Sequence, residues 1–178
     1  DRELTPGEKG LAPLEVIEAT RAALTTEQIE FLYALPHTVQ IGEILFCHAT
    51  ARNDLDIFTE RTPEERIAHL FADVDAEVVV CGHTHTQFGR TIAGKRVINS
   101  GSVGMPYESQ PGAYWALLGP GLELRRTDFD REAAAAAIRA TSFPDANEFA
   151  EENVLTIPSG HEATELFERM AVNEPPPP

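Results

Sequence analysis

Apolar residues follow two rhythms along this chain. Leu14, Ile17 and Leu24 keep a helical spacing, with Pro13 suited to a first turn. A second helix is expected from Thr25, where Gln28 three residues on completes a capping-box pattern; Ile29 and Leu32 form its stripe and Pro36 stops it. The rhythm then shortens. Thr38–Ile41 and Glu43–His48 read as two strands, or one bent strand, joined at Gly42. Thr62-Pro63-Glu64-Glu65 is a helix start with a hydroxyl cap, and Ile67, Leu70, Phe71 and Val74 make one face of the helix it predicts. Glu77–Cys81 is a short apolar run bounded by polar residues, the pattern of a strand buried on both faces.

Residues 86–92 and 95–99 predict a hairpin around Gly94-Lys95, and 113–118 with 122–127 predict another around Gly119-Pro120-Gly121. The alanine-rich 131–140 is helical by propensity alone, and 162–171 forms a last amphipathic helix. Residues 1–12 read as a connector and 172–178 as a disordered, Pro-rich tail. No internal repeat is present. The order predicts a mixed α/β fold with sheets covered by helices.

Composition narrows the function. A chain of 178 residues fits one domain, and 42% apolar content is enough to build a core. The net charge of −15 argues against non-specific nucleic-acid binding and against an anionic membrane surface. No run approaches the about 18 apolar residues of a membrane span. Cys47 and Cys81 cannot form a disulfide scaffold and nothing resembles a signal peptide, so the expected compartment is the reducing cytoplasm. The chain opens on Asp1-Arg2 rather than Met, which predicts a processed, truncated or partial sequence.

The candidate chemistry lies in the histidines. His83 and His85 follow the buried 77–81 run directly, and His48 ends another apolar run. Strand ends that feed loops are where sheet-based folds place ligand groups, and imidazole is the commonest transition-metal ligand. His69 falls off the Ile67–Val74 stripe and is expected at the surface; His37 and His161 have no partner in sequence. A structural zinc site built with Cys47 and Cys81 is disfavoured. The cysteines lie 34 residues apart, and alternation sends Cys47 and His48 to opposite faces, Cys47 toward the core. Asp54, Asp56, Asp73 and Asp75 are the nearby carboxylates, and no spacing forces any of them into the same site.

Phe46-Cys-His-Ala-Thr50, Val80-Cys-Gly-His-Thr-His85 and Val97-Ile-Asn-Ser-Gly-Ser-Val-Gly-Met-Pro106, in that order, resemble the C-terminal half of a calcineurin-like metallophosphoesterase of the small bacterial phosphodiesterase type. The resemblance covers most of residues 1–130. It implies a four-layered αββα sandwich, with residues 1–171 as the C-terminal portion of a single such domain. It also implies hydrolysis of phosphate mono- or diesters with two divalent metal ions (Mn, Fe, Zn or Ni) and a small phosphate-ester substrate.

By position, His48 and His83 match histidine ligands of the second metal and His85 a ligand of the first. Asn99, Gly101 and Ser102 match the strand and loop that close over the site, where Ser100 replaces a common proline. Ala51 stands where relatives often carry proline. Arg52 either faces a substrate phosphate or is a surface loop residue. Asp1 matches the family's catalytic Asp. The Asp-x-His, Gly-Asp and complete Gly-Asn-x-Asp elements, which supply the remaining ligands, are missing from the sequence. Two alternatives to an enzyme stand beside it: a non-catalytic binding scaffold on the same fold, and a small histidine domain that holds one ion.

Overall fold

The computed structural model describes residues 14–119, 121–156 and 159–171. The connector, Pro13, Asp1 and the Pro-rich tail lie outside the described residues. In chain order the elements are α1 (Leu14–Ala23), α2 (Thr26–Tyr33), β1 (Thr38–Ile41), β2 (Ile44–Cys47), α3 (Glu64–Ile67), β3 (Val78–Cys81), β4 (Gln87–Ile92), β5 (Lys95–Ser100), β6 (Ala113–Leu118), β7 (Leu122–Thr127), α4 (Arg131–Arg139), α5 (Ala146–Ala150) and α6 (Gly160–Met170). They group into two compact units, one within Asp1–Leu35 and Arg131–Leu155, the other within Pro36–Asp130 and Thr156–Pro178.

In the first unit the expected capping box is present: Gln28 N donates to Thr25 Oγ1 (3.2 Å) and Thr25 N to Gln28 Oε1 (2.8 Å). The alanines of α4 leave room for close helix packing. Ala135, Ala150 and Val154 form a small core there, and Arg131 donates to the Val154 and Leu155 carbonyls of the π-helical turn after α5.

The second unit holds a five-stranded mixed sheet in the order β1-β2-β3-β5-β4 and a two-stranded sheet, β6-β7. β2, β3 and β5 run parallel, and β1 and β4 close the edges antiparallel. As the apolar run predicts, Val79, Val80 and Cys81 of β3 are all buried. One face of the sheet packs Val79, Cys81, Phe88 and Val97 against Phe58, Ile67, Leu70 and Phe71. On the other face Gln87 reaches across to the second sheet, its Nε2 donating to the carbonyls of Ser100 (3.1 Å), Trp115 (2.9 Å) and Arg125 (3.1 Å). The order helix, sheet, sheet within this unit agrees with the mixed α/β class and the sandwich expected. Ala93 and Gly94, both at positive φ (50° and 77°), form the two-residue turn between β4 and β5, one position ahead of the expected Gly94-Lys95.

Two expectations are corrected. The helix expected across Ile67–Val74 is one turn, α3, followed by a 3₁₀ turn at Ala68–Leu70. The Thr62 hydroxyl does not cap it, because it accepts from Thr59 N (2.8 Å) and donates to Glu168 of α6. The tighter turn still brings Ile67, Leu70 and Phe71 into the core. His69 is half-buried rather than a surface residue, with an Nδ1 that has no hydrogen-bond partner among the described residues. Among the described residues no helix is long and apolar enough to cross a membrane.

Candidate functional site

Because β2, β3 and β5 are parallel neighbours, their C-terminal ends open on one edge of the sheet. That edge is where α/β sheets present ligand groups. The register pairs Phe46 with Val80 and Cys81 with Asn99, so the chain leaves the sheet at His48, at Gly82–His85 and at Ser100–Ser102 side by side. One ladder bond continues past the strands, Gly82 N to His48 O at 2.9 Å.

Here His48 and His83 meet. His48 Nε2 lies 3.1 Å from His83 Nδ1, with the rings edge to face at 4.9 Å between centroids. His85 stands apart. Its Nδ1 is 2.9 Å from the Met105 carbonyl, so that nitrogen carries the proton and Nε2 keeps its lone pair. Its ring stacks on Tyr107 at 5.6 Å, and Tyr107 N donates to His85 O at 3.1 Å. His83 and His85 both adopt positive φ, 70° and 56°. For a non-glycine residue that conformation costs about 1–2 kcal/mol.

Burial and the neighbouring His48 and His85 hold the His83 imidazole below its ordinary pKa, against a smaller opposing effect from the Leu55 backbone and Asp54. Burial does the same to His85 and outweighs the Met105 hydrogen bond. Both shifts favour the neutral ring, the form that donates to a metal. Below them Cys47 packs against the core and Cys81 lies within it. Burial raises both thiols, Cys47 to about 11, so they behave as small apolar residues.

The remaining candidates are engaged inside the protein. Arg52, considered as a phosphate contact, directs Nε (3.1 Å) and Nη2 (2.7 Å) onto the Asp56 carboxylate. Asp56 is buried, which raises its pKa, yet its bonds from Arg52, Thr50 and Asn53 prevail and hold it below the ordinary carboxylate value. Asn99 is 1% exposed, with its amide engaged by the protein's own backbone and side chains. Ser102 Oγ accepts from Met105 N (3.0 Å). Gly101 sits at φ 81°, where a Cβ would stand 2.7 Å from Gln87 Cγ and 2.9 Å from Tyr114 Cβ; its role is close packing. Among the carboxylates weighed above, Asp54 approaches the histidines, acting on His83 through its charge and lying 3.3 Å from His37 Nδ1. His37 thus has a partner after all: the hairpin register that pairs Thr38 with Cys47 brings it beside His48.

The family model of the calcineurin-like phosphoesterase superfamily domain matches residues 21–118, more than half of the chain. The chain belongs to that superfamily. Its fold is similar to that of a metallophosphoesterase from Sphaerobacter thermophilus, at 20% identity over 78% of this chain and 66% of that one, with a TM-score of 0.63. It is also similar to a hypothetical protein from Pyrococcus horikoshii, at 19% identity over 70% of this chain and 53% of that one, with a TM-score of 0.56. The chain therefore spans 66% and 53% of the lengths of these two neighbours. No curated protein matches the sequence.

Members of this superfamily generally use divalent metal ions, and the histidine pair can be tested against that requirement. Two imidazole nitrogens bound to one ion at about 2.0–2.1 Å stand about 2.9 Å apart at a right angle and about 3.3 Å apart at a tetrahedral one. The 3.1 Å between His48 Nε2 and His83 Nδ1 falls inside that interval; it is also the length of a hydrogen bond between the two rings, so the pair fits one edge of a coordination shell once the shared proton is released. The shell is not completed by its surroundings. Among the described residues no three His, Cys, Asp or Glu side chains are gathered closely enough to hold an ion.

Sequence reasoning overlooked Tyr107 and the Met105 carbonyl, which orient His85, and Thr84, buried between the two histidines.

Proposed function

We propose that this chain carries the histidine half of a metal-dependent phosphoester hydrolase. The observation that supports it is the His48–His83 contact at the ends of adjacent parallel strands, spaced as two ligands of one ion are. In this reading His48 Nε2 and His83 Nδ1 hold one divalent cation, and His85, with its proton fixed on Nδ1 by Met105 O, offers Nε2 to a second. The Met105 carbonyl keeps the His85 tautomer correct, as partners of metal-bound histidines commonly do. When bound, divalent ions supply the Lewis acidity that activates water and offsets charge on the phosphoryl oxygens.

A net charge of −15 repels a phosphate ester, so the attraction for substrate must arise locally, at the cations. The substrate is a small phosphate mono- or diester, the metals come from Mn, Fe, Zn and Ni, Asp1 takes the family's catalytic aspartate position, and the free thiols suit the cytoplasm. Arg52 acts indirectly, by fixing Asp56 in the loop that follows His48.

The test is Mn-dependent hydrolysis of bis-p-nitrophenyl phosphate by the full-length protein. His83→Ala and His85→Ala are each expected to lower turnover at least about 100-fold, the upper range for disturbing a metal site. Near-wild-type turnover in either variant overturns the assignment. A second reading, a non-catalytic binding scaffold, draws on the incomplete donor set among the described residues. Counting bound ions separates the two: the hydrolase binds two per molecule and the scaffold none.

A further inference from the structure

Asn99 is the penultimate residue of β5 and lies opposite Cys81, at the point where β3 gives way to the histidine turn. Its amide is fully engaged. Nδ2 donates to Gly82 O (2.6 Å) and to Thr84 Oγ1 (3.0 Å), and Oδ1 accepts from Gly101 N (3.0 Å). The two groups that receive its protons flank His83, and Thr84 is also the residue between His83 and His85. Thr84 is itself 2% exposed, and its backbone N donates to Gly82 O at 2.9 Å.

Left-handed backbone at two histidines in three residues survives only where the surroundings dictate it. The regular ladder cannot do so, because β3 stops at Cys81. The Asn99 side chain takes over where the ladder ends. The task needs two donor protons and one acceptor on a single short side chain. An ionised carboxylate has no donor and a hydroxyl has only one proton, so the carboxamide is the group that satisfies all three contacts.

We propose that Asn99 is a positioning residue. By locking the Gly82–Thr84 turn it sets the spacing of His83 from His48 and the direction in which His85 points. The metal-affinity arm of its test rests on the hydrolase reading above; the tautomer arm does not.

The experiment compares Asn99→Asp and Thr84→Val in the full-length protein with a core control, Ile92→Val, whose side chain is fully buried and which pairs with Lys95 at the other end of β5. Two readouts are taken, the ¹⁵N ring shifts of His83 and His85 without metal, and the affinity for Zn²⁺ alone. Wild type is expected to show one fixed tautomer at each ring. Both variants of the turn are expected to show averaged ring shifts and a 10- to 100-fold weaker Zn²⁺ affinity, while the control keeps both. Thr84→Val removes the Oγ1 contact but leaves the Asn99 amide its Gly82 and Gly101 partners, so it decides the matter if Asn99→Asp fails to fold.

Wild-type ring shifts in a folded variant, or averaged shifts in the control as well, overturn the proposal. A full-length wild-type protein that takes up no Zn²⁺ but shows variant-sensitive tautomers overturns the hydrolase reading and supports the role of Asn99.

Discussion

The two units of this protein solve the burial problem differently. In the second, Ile67, Phe71, Val79, Ile92 and Val97 are each 0% exposed, large side chains held between a sheet and a short helical turn. In the first, the buried cluster is Ala135, Ala150 and Val154, while α1 and α2 contain no fully buried residue and leave Phe31 at 65% and Tyr33 at 80% exposed. The α1–α2 stripe instead lines an open groove of about 400 Å³ formed by Val16, Ile17, Leu24, Ile29 and Leu32 among others. Helical periodicity alone does not tell a covered face from an uncovered one. The candidate site sits on the unit whose strands are fixed by dense packing, as a group of side chains that must keep sub-ångström spacing requires.

The sharpest way to break this contrast is to remove one aromatic ring from each unit. Phe71→Ala should destabilise the protein by about 3–5 kcal/mol, since a fully buried ring leaves a cavity that the sheet cannot fill. Phe31→Ala should stay within about 0.5 kcal/mol of wild type, because the ring has little burial to lose. Urea denaturation of the two variants measures both. Equal losses would mean that the α1–α2 face is covered in solution and that the contrast is wrong.

The next prediction concerns polar anchoring in the second unit. Asp56 is 7% exposed and accepts from Thr50 Oγ1 (2.7 Å), from Asn53 Nδ2 (3.1 Å) and from the Arg52 guanidinium. Its folded pKa is lowered, so its contribution to stability is complete above the ordinary carboxylate pKa and is lost as pH falls through the lowered folded value. Asp56→Asn should cost about 1–3 kcal/mol at pH 7, the lower part of that range applying because Arg52 is 40% exposed and screened by solvent. The cost should shrink on acidification below about pH 4. Thermal melts of both proteins from pH 7 to pH 3 test this, and a gap that stays constant would remove the charge from the explanation.

What was legible in the sequence follows the same division. The buried strand and the histidine positions could be read because an apolar run ending in Gly-His-Thr-His leaves a pattern within nine residues, Glu77 to His85. Three features could not be read, because each depends on register between distant segments. Asn99 reaches Gly82 and Thr84 only once β5 lies beside β3. His37 approaches Asp54 through the β1–β2 hairpin. Thr62, which has the local pattern of a helix cap, is drawn instead to Glu168 more than one hundred residues away.

The most local effect is expected where the first unit depends on local chemistry alone. At the start of α2, Thr25 and Gln28 satisfy one another's backbone donors, and both are exposed, so the capping box works with little help from packing. Thr25→Ala should therefore cost about 1 kcal/mol. It should act on α2 itself: amide exchange in Thr26–Tyr33 should quicken about five-fold, by the free-energy conversion of that loss, while amides of β3 and β5 keep their wild-type rates. The reasoning is that a helix with no buried residue opens by local fraying, whereas the central strands exchange only when the sheet unfolds. If the substitution instead accelerated exchange in β3, α2 and the sheet would open as one cooperative body, and the difference between the units would be one of surface cover and not of stability.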